Sequence, residues 1–170
     1  MPQNIELKAH LASLDGARAM AQSLATERLE DQHQVDTYFF CRHGRLKLRE
    51  ITGLRSELIW YERPDQQHAK ACRYQLVRIE DAAGLKQALT NASGIRCIVE
   101  KYREIYLYHN VRIHLDRVVD LGEFLEFEAV LSPEVNADSG HAQVAFLRDR
   151  FQIADADLLT GSYADLLLGA

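Results

Sequence analysis

The chain has 170 residues, 47% of them hydrophobic, and a formal net charge of −5. That length can bury roughly two-thirds of its unfolded surface, which argues for one domain spanning 1–170. The acidic balance gives no basic field for nucleic acid, and no apolar run approaches the roughly 20 residues that span a bilayer. No charged-then-apolar leader opens the chain. Three cysteines, Cys41, Cys72 and Cys97, form no close pair and read as free thiols of a reducing cytoplasm.

In chain order, alternation from Ile5 to His10 predicts a strand. Ala17, Met20, Ala21 and Leu24 at helical spacing predict a helix over 15–30, with Asp15 as its cap. Strands follow over 34–41 and 45–51 around a His43-Gly44 turn, then over 57–62 after Thr52-Gly53, ended by Arg63-Pro64-Asp65. A strand over 73–79 precedes a short helix capped by Asp81 and stopped by Asn91 to Gly94. Three strands over 96–108, 111–118 and 123–131 form a meander through turns at His109-Asn110 and Asp120 to Gly122. Helices over 139–151 and 162–168 close the chain. Low-complexity stretches and internal repeats are absent.

Charges recur two residues apart in these strands: Glu6 and Lys8, Lys47 and Arg49, Lys101 and Arg103, Arg112, His114 and Asp116, Glu126 and Glu128. Period two puts each set on one face of a sheet, with Ile5, Leu7, Leu46, Leu48, Ile113, Leu115, Leu125 and Phe127 on the other. Such charges are ordinarily a sheet's solvated face, joined by cross-strand ion pairs. Burying that face in a sandwich would cost several kcal/mol per unpaired charge. Closing the sheet instead puts the charges in a wet lumen and removes its edges. The expected fold is α+β: about eight antiparallel strands in a closed barrel or tunnel, a polar charged lumen, and helices packed on the apolar outside.

Lys8, Lys47, Arg49, Lys101, Arg103 and Arg112 supply that lumen with phosphate-binding cations. Glu6, Asp116, Glu126 and Glu128 would repel one another unless protonated or bridged by a hard cation such as Mg²⁺ or Mn²⁺. The two together suggest a metal–polyphosphate site. Scattered histidines, an isolated Cys41-x-His43 and the absence of glycine-rich phosphate loops point to no other chemistry. Trp60 and the tyrosines Tyr102, Tyr106 and Tyr108 read as packing, and Tyr163 as part of a docked terminal helix.

Asn4-Ile5-Glu6-Leu7-Lys8 resembles the Glu-x-Glu-x-Lys signature of the CYTH superfamily, the triphosphate tunnel metalloenzymes. Further blocks fall in that family's order: Gln34-Val35-Asp36-Thr37-Tyr38-Phe39, Leu46-Lys47-Leu48-Arg49, Val99-Glu100-Lys101-Tyr102-Arg103, and Ile113-His114-Leu115-Asp116 through Leu121-Gly122-Glu123-Phe124-Leu125-Glu126-Phe127-Glu128. Gly161-Ser162-Tyr163-Ala164-Asp165-Leu166-Leu167 is similar to the tail of its class IV adenylyl cyclase-like branch.

The resemblance implies an eight-stranded antiparallel tunnel and a small-molecule triphosphate substrate. Lys8, Lys47, Arg49, Arg73, Lys101, Arg103 and Arg112 would hold the triphosphate. Glu6, Asp116, Glu126 and Glu128 would hold Mg²⁺ or Mn²⁺, and Glu6, Lys8 and Glu126 would act in catalysis. Cyclases of this kind convert ATP to cAMP and pyrophosphate; hydrolases attack tripolyphosphate, thiamine triphosphate or nucleotides with water. Three departures stand out: Asn4 for the first signature glutamate, Glu62 with Arg63 where a lysine is usual, and Gln75 for an acid after Arg73. Amides in place of acids also fit a non-catalytic polyphosphate or nucleotide sensor. A homodimer is compatible with the chain, and no exposed stripe demands one.

Overall fold

A computed structural model describes residues 1–169. Among them, strands β1 (Gln3–Leu11), β2 (Glu27–Arg28), β3 (Gln32–Phe39), β4 (Arg45–Ile51), β5 (Arg55–Glu62), β6 (Lys70–Ile79), β7 (Ile95–Tyr108), β8 (Val111–Val118) and β9 (Gly122–Val130) alternate with helices α1 (Leu14–Leu24), α2 (Ala82–Ser93), α3 (Ala137–Arg150) and α4 (Tyr163–Leu167). Eight strands close into an antiparallel barrel in the order β7, β3, β4, β5, β6, β1, β9, β8, with β8 pairing back to β7. Closure satisfies every strand's hydrogen-bonding edge and leaves β2 as a short addition outside β7.

The alternation sorts the two faces as expected. Ile5, Leu7, Ile113, Leu115, Leu125 and Phe127 point outward and are essentially solvent-free, sharing one core with Leu14, Ala21, Val144 and Leu147 of α1 and α3. Each such side chain contributes roughly 1.5–3 kcal/mol on burial. Gly140 of α3 lets that helix lie directly on β1: a Cβ there would meet the Ile5 side chain at 2.9 Å. On the far side α2 packs over β3 and β4.

Two local expectations are corrected. The first helix stops at Leu24, where Ala25 turns extended and Thr26 N–H donates to the Leu107 carbonyl, so residues 27–28 join β7 as a strand. Its cap is Ser13, whose side chain accepts the Asp15 N–H; Asp15 itself lies in the first turn. Asp81 caps α2 as read, and Gly44 takes the positive φ of +68° that the hairpin turn demands.

Candidate active site

The inward faces of the strands enclose a cavity of about 330 Å³. Eight basic side chains line it against five carboxylates, so the lumen is cationic inside an acidic molecule. Nine of the eleven expected site residues are in the lining: Glu6, Lys8, Lys47, Arg49, Lys101, Arg103, Arg112, Glu126 and Glu128. Strand parity explains the convergence, because residues two apart share a face and register aligns those faces across neighbouring strands.

One wall gathers cations around Asp36 of β3. Lys47 and Lys101 donate to Asp36 Oδ2 at 2.8 and 2.9 Å, while Arg49 forks onto both carboxylate oxygens at 2.8 and 2.9 Å. Burial alone would raise this carboxyl, but Arg49, Lys101 and Lys47 outweigh it and hold Asp36 well below the usual range. Burial lowers Lys101 well below an ordinary lysine, helped by Arg49 and Arg103 and opposed by Asp36. Three cations share one anion here, which leaves a surplus suited to phosphate oxygens.

The opposite wall carries the acids. Glu6 faces Glu128, and Lys8 faces Glu126, directly across the β1–β9 ladder. Lys8 Nζ is 3.4 Å from Glu126 Oε1 and 4.0 Å over the centre of the Tyr163 ring. Arg103 donates to Glu126 Oε2 at 3.0 Å, and His114 Nδ1 lies 3.2 Å from the same oxygen. Burial, then the Glu126 charge, push Glu6 above the usual carboxylate range despite Arg63 donating to it at 3.0 Å. Burial lowers Lys8, so its Nζ gives up a proton more readily than an exposed lysine would.

The sequence matches the CYTH domain family over residues 2–163. The chain belongs to the CYTH family. Solved structures share this CYTH barrel. PH1012 from Pyrococcus horikoshii OT3 superimposes with a TM-score of 0.86 at 22% identity, over 96% of this chain and 98% of that one. A candidate adenylate cyclase from Vibrio parahaemolyticus gives 0.79 at 21% identity, over 97% of each chain. HpAC1 from Hippeastrum, a candidate adenylyl cyclase described as having a dominant triphosphatase activity, gives 0.68 at 12% identity, over 99% and 96%. These likenesses show the fold. The chain has no match among curated protein sequences.

Two expected residues of the CYTH tunnel are placed differently. Arg73 stands on the outer face of β6, exposed and paired with Glu62; the inward members of that strand include Cys72, Tyr74 and Leu76. Gln75 shares Arg73's outward parity and is exposed, so its amide does not alter the lumen. Asp116 points inward but is closed off, with both oxygens 2.7 Å from the Arg103 fork and Oδ2 also accepting from Tyr163 at 2.6 Å. It orients Arg103 and Tyr163 and does not line the cavity. Arg63, beside the outward Glu62, takes a cationic place in the lumen.

Asp36, Arg55, Glu57, Arg63 and Tyr163 line the cavity although the charge sets did not include them. Asp36 has no charged residue two positions away, only Gln34 and Tyr38, so period two gave no signal. His114 was in the Arg112 to Asp116 set but was given no role in the site.

The donor set suits a divalent ion. Glu6 and Glu128 face each other as like charges, an arrangement that costs stability unless a cation or proton lies between. Ligand atoms of His114, Glu126 and Glu128 lie within 4.8 Å of one another. Asn4, buried beside them, has an Oδ1 with no hydrogen-bond partner. An orphaned acceptor among carboxylates is a neutral oxygen ligand of the kind Mg²⁺ and Mn²⁺ accept.

Proposed function

We propose that this CYTH domain, spanning 1–170, is a Mg²⁺- or Mn²⁺-dependent enzyme that converts ATP to cAMP and pyrophosphate in its tunnel. What carries the reading is the juxtaposition, in one cavity, of the Asp36 cation wall and the Glu6–Glu126–Glu128 acid wall. Lys47, Arg49, Lys101 and Arg103 hold the phosphate oxygens, with Arg112 at the more exposed end. Glu6, Glu126 and Glu128, with Asn4 and His114 beside them, hold the ion. When bound, the ion neutralises phosphate charge and aligns the reacting oxygens. Lys8, buried and lowered by that burial, supports charge or a proton at its Nζ on the phosphoryl oxygens between the two walls.

A second reading, hydrolysis of a triphosphate to orthophosphate, draws support from the shared fold of HpAC1. The unpaired thiols of Cys41, Cys72 and Cys97 fit a cytoplasmic setting. No helix among the described residues is long and apolar enough to cross a membrane.

Purified protein offered ATP, thiamine triphosphate and tripolyphosphate, with and without Mg²⁺ or Mn²⁺, separates the readings. cAMP rising in step with pyrophosphate supports the cyclase. Orthophosphate without cAMP moves the protein to the hydrolases. Triphosphate binding without any metal-stimulated product leaves a sensor.

A further inference from the structure

The residues that lead into α4 complete the barrel wall before they enter its lumen. β6 pairs with β1 only as far as Glu6 opposite Lys70, which leaves β1 unpaired on that side beyond Glu6. Leu158 takes up the free edge by bridging Ala9, and the Leu159 N–H donates to the Lys8 carbonyl at 2.9 Å. Barrel cations hold the next two carbonyls: Lys70 donates to Thr160 at 2.6 Å and Arg63 to Gly161 at 3.2 Å. Tyr163 then lines the cavity, buried, with its ring centre 4.9 Å from that of Phe124 and its hydroxyl donating to Asp116.

Lys8 sits against that ring. Its Nζ lies 4.0 Å from the ring centre, compared with 6.0 Å for Lys101. Its ion pair with Glu126 spans 3.4 Å, whereas Lys47 and Lys101 reach Asp36 at 2.8 and 2.9 Å. The carboxylate therefore holds Lys8 less tightly than Asp36 holds its cations, and the ring face adds the missing constraint. A desolvated ammonium is attracted to an aromatic face without spending an N–H on a lone pair. Its donors stay free for phosphoryl oxygens.

We infer that Tyr163 is a positioning residue for the triphosphate chemistry, its ring face seating the Lys8 ammonium where the phosphoryl oxygens pass. One segment clasps Lys8 twice, at its carbonyl through Leu159 and at its Nζ through the ring. The start of α4 is thereby part of the active site as well as a closure of the barrel's end. The Tyr163 hydroxyl is not needed for the seat, because Asp116 keeps both bonds from Arg103 without it. The inference rests on the triphosphate reading above and adds to that machinery a residue acting through Lys8.

Turnover of the preferred triphosphate, with calorimetric binding of tripolyphosphate in Ca²⁺ alongside, tests it on Tyr163→Phe and on phenylalanines of increasing ring fluorination at position 163, up to pentafluorophenylalanine. The series keeps the ring's shape, so the fold is expected to persist, while its negative face weakens step by step. Tyr163→Phe is expected to retain kcat within about threefold. Fluorination should lower kcat stepwise, by about tenfold or more at the pentafluoro ring, with tripolyphosphate affinity changed by less than about threefold. In a Lys8→Met background the same series should move kcat by less than about twofold, because the loss passes through Lys8. A flat series, Tyr163→Phe as impaired as the pentafluoro ring, or equal losses with and without Lys8 overturns the inference and leaves the triphosphate enzyme standing. No turnover of ATP, thiamine triphosphate or tripolyphosphate by the wild type overturns both.

Discussion

Asp36 answers three cations with one carboxylate, so its value is positional as much as electrostatic. It keeps Lys47, Arg49 and Lys101 converged when no phosphate is there to do so. Asp36→Ala is expected to cost about 3–5 kcal/mol of folding stability, because buried cations lose their counter-charge. Tripolyphosphate should restore more of the melting temperature in this variant than in the wild type, which thermal unfolding with and without the ligand will read. Arg49→Ala is expected to raise KM by roughly 10–100-fold by removing a fork that binds phosphate oxygens; a change within about twofold in steady-state assays would contradict its role. Glu126→Gln should cut kcat by at least about a hundredfold at unchanged secondary structure, since it takes one charge from the ion's ligands at similar volume. Parity decided which residues could be read from sequence. Lys47 and Arg49, or Glu126 and Glu128, are separated by apolar residues that declare the opposite face. Lys70 to Gln75 shows no such alternation; Arg73 was placed with the triphosphate by resemblance alone, and it faces outward.

Among the elements, α4 does more than its five residues suggest. Ser162 and Asp165 form a capping box, and Asp165 also receives Arg45 and Arg96 at 3.0 and 3.2 Å, pinning the helix to the end of the barrel. Burial opposes ionisation of Asp165, yet its hydrogen bonds with Ser162, the charge of Arg45 and a hydrogen bond from Arg96 lower it from 3.8 to about 2. A lowered carboxyl stabilises the fold above its unfolded pKa and loses that contribution as pH falls toward its folded one. Urea denaturation should show Asp165→Asn about 1–2 kcal/mol less stable near neutrality, the figure discounted for partial solvation. That gap should close as pH falls from about 4 to about 2, while a constant gap would contradict the assignment. Gly140→Ala should destabilise by roughly 1–3 kcal/mol, because its methyl would press on Ile5 and Leu131. The helices were legible from apolar spacing and caps. The end of α1 was not, because residues 27–28 become a strand only through β7, a partner remote in sequence.

For the molecule as a whole, charge placement connects fold to function. A chain of net charge −5 would repel a polyanion from most of its surface, yet eight of its basic side chains line the tunnel. The barrel itself was legible, because five sets of charges at period two with apolar partners leave closure as the economical way to keep them wet. What escaped was which inward acids stay open to the lumen. Asp116 and Glu126 belong to the same pattern, and only the tertiary placement of Arg103 and Tyr163 closes the first and leaves the second accessible. The most direct test of the central claim is a crystal structure with Mn²⁺ and tripolyphosphate, read by the anomalous signal of manganese. The expected result is manganese among Glu6, Glu126 and Glu128, with phosphate oxygens on Lys47, Arg49 and Lys101. Manganese or phosphate bound only outside the tunnel would contradict it.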